Sequence, residues 1–197
     1  MGQAGMAEAA VRYLRSAGAA PVETLPRPEL RCVREDERAP VGPTEFRRVL
    51  GNFASGVAVV TSPAADGEDG PAGFACQSFA ALSLDPPLVA FMVGRTSTTW
   101  PRIARAGVFC VNVLADHQGE LCRGFAVSGA DKFAGVAFDP APASGSPRLA
   151  DTLAWIDCTI HAVHTGGDHL IVVGRVDALG TGDEDRAPLL FHKGRFV

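Results

Sequence analysis

No stretch of this 197-residue chain gathers lysines and arginines among aromatic residues, and 18 basic against 22 acidic residues leave a formal charge of -4. That excludes nucleic acid as the expected partner, since binding a phosphate backbone needs a concentrated positive surface. No apolar run approaches the ~20 residues of a membrane-spanning helix. The longest, GVAVV at 56–60 and PPLVAFMV at 86–93, read as buried strands, so no membrane partner is expected. Residues 1–20 contain arginines but no continuous apolar segment and no convincing cleavage site, which makes the cytoplasm the expected location. The five cysteines are odd in number and none forms a C-x-x-C pair, so neither a zinc site nor a dithiol redox centre is expected. Cys76, Cys110 and Cys158 sit in apolar runs as small hydrophobic fillers, and Cys122 has no supported role. Also missing are a G-x-G-x-x-G or G-x-x-x-x-G-K-[ST] phosphate loop, a G-x-S-x-G elbow, obvious paired carboxylates and any internal repeat.

What is present suits one globular domain with an appendage: 47% of the residues are apolar, enough for a single sizeable core. Residues 1–42 read as a short helix followed by a charged, proline-punctuated tether, with the domain, 43–197, beginning near Pro43. Phe46, Val49, Leu50 and Phe53 recur at helical spacing, starting at Pro43 or Thr44 and stopping at Gly51 or Gly56. GVAVVTS and FACQSFAALSL, separated by turn-prone AADGEDGPAG, predict a hairpin. A strand in PPLVAFMVG, a helix in TSTTWPRIARAG, a strand in GVFCVNVLA and a helix in DHQGELCRGFAV follow. A second hairpin turns at Gly166-Gly167-Asp168, and a last strand lies near PLLFHKGRFV. Six or seven strands with only short helices between them favour a mainly β, closed antiparallel barrel over a doubly wound parallel sheet.

Taken together, FRRVLGNFASGVAVVTS, GPAGFACQSFAALSLDPPLVAFMV, RTSTTWPRI, FCVNVLADHQGELCRGFA, DKFAGV, GGDHLIVVGRV and PLLFHKGRF closely resemble the flavin reductase-like family, in order, from about Phe46 to Val197. The resemblance implies an FMN-binding split β-barrel and NAD(P)H-dependent reduction of FMN or FAD. It further implies a homodimer with the flavin site between subunits, and a flavin-dependent monooxygenase as the partner that receives reduced flavin. One departure stands out: the segment after the first hairpin turn commonly carries threonine and asparagine where this chain has Ala75 and Gln77, although Ser78 and Phe79 match.

A flavin offers a flat apolar ring, a polar pyrimidine edge and a phosphate tail. Under the resemblance, Ala75, Cys76, Gln77 and Ser78 run alongside the ring, offering backbone groups and two polar side chains; without it they are a half-buried strand. Thr96, Ser97, Thr98 and Thr99 precede a helix and are expected either to cradle the phosphate or simply to cap that helix. Arg95 and Lys132 are candidates for phosphate contacts or for solvated surface charge, and Lys132 and Phe133 fall in a segment that lies near the flavin in the family. His169, in the GGDH segment, is expected on the nicotinamide side, whereas His161 and His164 receive no role and no metal site is expected. The reactivity in such chemistry belongs to free flavin and NADH or NADPH, the protein supplying alignment and desolvation. Two alternatives stay open: a non-catalytic FMN-binding split-barrel module, and an oxidase on the same general barrel, as in pyridoxal phosphate oxidases.

Overall fold

The computed structural model describes residues 41–129, 131–182 and 185–197, and the expected N-terminal helix, Cys32 and all of the expected tether before residue 41 lie outside them. Gly42–Val197 forms one compact unit. It begins with helix α1 (Pro43–Leu50), which has proline in its first turn, and closes at Gly51, whose N–H donates to Arg47 O at 2.9 Å. Strands β1 (Ser55–Gly56), β2 (Ala58–Ser62), β3 (Ala72–Cys76), β4 (Ala80–Leu84) and β5 (Pro87–Gly94) follow. Next come helix α2 (Trp100–Ala106), β6 (Val108–Val113), a 3-10 turn (Asp116–Gln118) and helix α3 (Gly119–Ala126). The remaining strands are β7 (Phe138–Pro140), β8 (Pro147–Leu149), β9 (Ala154–Gly166), β10 (His169–Thr181), β11 (Leu190–His192) and β12 (Arg195–Phe196).

Seven strands make one antiparallel sheet in the order β3-β2-β6-β9-β10-β5-β4. Its outermost strands, β3 and β4, are consecutive in the chain, with only Gln77, Ser78 and Phe79 between them. Laid flat, seven strands would put those edges about 29 Å apart, while the connector reaches about 14 Å. The sheet therefore curls back on itself and leaves a seam where β3 and β4 meet, which is a split barrel. Ser78 stitches that seam: its Oγ accepts the Met92 N–H at 2.9 Å and donates to the Met92 carbonyl at 3.0 Å, replacing a ladder bond with a side chain.

Two apolar clusters share strand β2, which is why its sequence is apolar without alternation. Ala58 and Val60 face the barrel interior with Phe91, Phe109, Trp100, Ile103 and Val172. Val57, just before the strand, and Val59 face outward onto Leu114, Cys122, Phe125 and Leu189, under α3. The Phe91 ring packs edge-on against Phe109 at 5.2 Å and against Trp100 at 6.2 Å, and burial of each such ring contributes about 1.5–3 kcal/mol. A buried polar clamp ties the β7–β8 hairpin to this body. Asn112 Oδ1 accepts the Leu149 N–H at 2.8 Å, and Thr61 Oγ1 donates to Pro147 O at 2.5 Å.

Three expectations are corrected by these details. FACQSFAALSL is two strands, because the chain must leave one edge of the sheet and rejoin it at the other. PLLFHKGRFV is a small hairpin, β11–β12, turning on Lys193 and Gly194, both with positive φ, 50° and 83°. PPLVAFMVG is buried on one face only: Val89, Phe91 and Val93 point into the core while Met92 remains exposed. Both helices on either side of β6 and the β9–β10 hairpin stand where the sequence placed them, and β9 and β10 run 13 residues each.

Candidate functional site

A cleft of about 700 Å³ opens at the seam, within the range of small-ligand sites. Four structural pieces wall it. The end of β3 and its connector bring Phe74, Ala75, Cys76, Gln77 and Ser78, and β5 brings Met92, Val93 and Gly94. The turn after β5 brings Thr96, Ser97, Thr98 and Thr99, with His169 from the start of β10. The fourth wall combines α3 and the segment beyond it (Cys122, Arg123, Phe125, Ala126, Ser128 and Lys132) with Phe191 and Phe196 of the C-terminal hairpin.

Pairing of β5 with β10 sets the second and third walls together. His169 lies in register with Gly94, and the Arg95 N–H donates to Asp168 O at 3.0 Å. The turn then folds tightly, with the Ser97 N–H donating to Gly94 O at 3.0 Å. Ser97 Oγ accepts the Trp100 N–H at 3.2 Å, so this hydroxyl caps α2. His169 Nδ1 sits 2.7 Å from Asp168 Oδ1, an interaction that holds the Asp168 carboxyl below its ordinary range. Its Nε2 lies over Gly94, 3.9 Å from where a side-chain carbon would begin, with Thr96 Oγ1 at 4.0 Å from the same point.

Lys132 spans the cleft's inner wall. Its Nζ donates to Gly73 O at 3.1 Å and Phe125 O at 3.0 Å, and burial first, then the Arg102 charge, lowers its ammonium from the ordinary value. Gly73 is obligatory there. A side-chain carbon would stand 2.8 Å from the Phe125 ring and 3.2 Å from the Phe133 ring. Phe133 therefore packs behind the wall, edge-on to Phe125 at 5.1 Å, and does not line the cleft; nor does Arg95. The remaining sequence candidates, Ala75, Cys76, Gln77, Ser78, Thr96, Ser97, Thr98, Thr99, Lys132 and His169, all do.

Cys76 and Cys122 also face the cleft, but burial raises both thiols, which disfavours the thiolate a nucleophile requires. Sequence patterns gave no notice of Arg123, Phe125, Phe191 or Phe196. They come from elements distant in the chain, and no local spacing links them. As a donor set the lining combines an apolar strip, a run of hydroxyls, an amide, an imidazole and two cations, Lys132 and Arg123. Among the described residues no Asp or Glu lines it, in a chain whose net charge is -4. That chemistry fits a flat heteroaromatic ring carrying an anionic tail.

The family profile described as "Flavin reductase like domain" matches residues 50–197. The reductase subunit HsaB of a flavin-dependent monooxygenase from Rhodococcus jostii is 50% identical over 158 residues, 80% of this chain and 78% of that protein. Nitrilotriacetate monooxygenase component B from Mycobacterium thermoresistibile is 47% identical, with a TM-score of 0.73 over 78% of this chain and 84% of that one. The Streptomyces globisporus NADH:FAD oxidoreductase SgcE6, solved in complex with NAD and FAD fragments, is 36% identical with a TM-score of 0.73, covering 81% of this chain and 96% of that one.

Proposed function

This chain belongs to the flavin reductase-like family and is an NAD(P)H-dependent flavin reductase, and from that premise we propose how its cleft serves the reaction. The carrying observation is the seam cleft of about 700 Å³, with its apolar strip, hydroxyl run and cations and, among the described residues, no carboxylate. When bound there, NAD(P)H supplies a hydride and the flavin supplies the ring that accepts it.

The chain's own residues align and shield. Ala75, Cys76 and Gln77 offer the backbone and amide edge to the flavin ring, while Ser78, whose hydroxyl is engaged with Met92, acts as a positioning residue. Thr96, Thr98 and Thr99 donate hydroxyls to the phosphate, and Ser97 holds the turn that presents them. Lys132 adds positive charge from the inner wall. His169, tethered through Nδ1 to Asp168, keeps Nε2 above Gly94, where the missing side chain leaves room for a second planar ring. Apolar walls exclude water from the two rings.

We further propose a homodimer and a separate monooxygenase that takes the reduced flavin, both in the cytoplasm. Support for the dimer lies in apolar surface exposed among the described residues: Phe46, Val49 and Leu50 of α1, Phe53 just beyond it, and Leu82 and Leu84 on β4. Support for the partner lies in relatives named as reductase components of monooxygenases. The test is NADH oxidation by the purified chain with and without free flavin. Oxidation that accelerates only when flavin is added is expected, and a rate indifferent to flavin would overturn the assignment.

A further inference from the structure

In the wall made by α3 and the C-terminal hairpin, Arg123 has no part in the roles given above. Arg123 carries its guanidinium over the Phe196 ring, 5.3 Å from the centroid, and both residues line the cleft. The platform beneath it is braced from several sides. Phe196 packs edge-on to Phe191 at 5.6 Å, and it lies against α3 at Gly119, where a side-chain carbon would stand 3.5 Å from the ring. Phe191 pairs with Ser55 of β1, and the Lys193 N–H donates to Gly51 O at 3.0 Å. Arg123 forms an i,i+3 ion pair with Glu120, their side chains 59% and 87% exposed. Such a surface pair is weak and readily exchanged for another anion.

A guanidinium placed over an aromatic ring can still direct its forked N–H donors to oxyanions and stack its plane on a heterocycle. The ligand class that matches is an anionic group joined to an aromatic base. Resting on the reductase activity above, we propose that Arg123, braced on Phe196, binds the adenosine monophosphate portion that FAD and the nicotinamide dinucleotides share and FMN lacks. Arg123 is thereby a specificity residue: it favours dinucleotide over mononucleotide ligands, while the Thr96–Thr99 turn serves the flavin phosphate.

Free ADP, which contains that portion, is the probe, titrated calorimetrically into the purified chain. Wild type is expected to bind it, Arg123→Gln to weaken it about tenfold or more, and Glu120→Gln, which removes the competing carboxylate, to tighten it. Arg148→Gln is the matched control: Arg148 also lies over an aromatic ring, Trp155 at 5.1 Å, but outside the cleft, and its loss is expected to leave ADP binding as it was. The source of the shared moiety follows from comparing Arg123→Gln with wild type. A raised FAD dissociation constant with FMN unaltered assigns the site to the flavin, and a raised KM for NADH with FMN as acceptor assigns it to the nicotinamide dinucleotide. No ADP binding by wild type at millimolar concentration, or equal binding by Arg123→Gln, overturns the proposal. ADP binding that depends on Arg123 in a chain that never oxidises NADH would instead sink the reductase mechanism and leave the subsite standing.

Discussion

His169 has one ring nitrogen committed to Asp168 and the other over Gly94. Replacing it with alanine is expected to slow flavin-dependent NADH oxidation about tenfold or more, while FMN affinity, measured by fluorescence quenching, changes by less than about twofold. Thr99→Ala is expected to do the converse, weakening FMN with a smaller effect on turnover at saturating flavin. The thiols form a contrasting set. Burial first, and then the buried Asp157 carboxylate, push the Cys110 thiol from 9.0 up to about 12. The unfolded chain ionises its thiols in the ordinary range, while the fold keeps Cys110 protonated. Stability is therefore intact below about pH 9 and declines as pH rises toward 12. Urea unfolding near pH 7 and near pH 10.5 is expected to show that decline, and Cys110→Ala to lessen it, the buried Cys158 thiol, raised in the same direction, keeping the rest.

At the scale of elements, β9 and β10 meet with a bulge between Val173 and Gly174, next to the close approach of Phe109. A methyl at Gly174 would collide with the Phe109 ring, itself fully buried between β6 and the barrel interior. Gly174→Ala is expected to cost about 1–3 kcal/mol, read as a lower urea midpoint with an unchanged slope. Such long, periodic strands were legible in the sequence, because alternation and the Gly166-Gly167-Asp168 turn act within a few residues. The division of FACQSFAALSL was not. Nothing in Gln77-Ser78-Phe79 breaks a strand locally, and the chain turns there because the closed sheet requires it. The candidate site followed the same rule. Its Ser/Thr turn and the GGDH histidine were found through ordered motifs, whereas Arg123, Phe191 and Phe196 converge only once α3 and the last hairpin have docked. Phe133 was placed one ring too near the cleft, since its segment matched but its direction depends on Phe125 filling the space left by Gly73.

Across the whole molecule, β4 stands out as a strand with almost no cover: Leu84 is 95% exposed, on an outer edge of the sheet. If two copies join through this edge and α1, light scattering will give twice 20.5 kDa. Leu84→Glu should then shift the population toward single chains and lower flavin affinity with it, whereas a single-chain mass for wild type would dismiss the pairing. The unpaired junction between β3 and β4 has a mechanical consequence as well. With Ser78 as the stitch, the barrel is expected to open more readily along that line than elsewhere, and a ligand seated across it to act as a removable staple. Amide deuteration along residues 72–84 should slow when FMN is added, while β6 and β9, zipped on both sides, should scarcely notice its arrival.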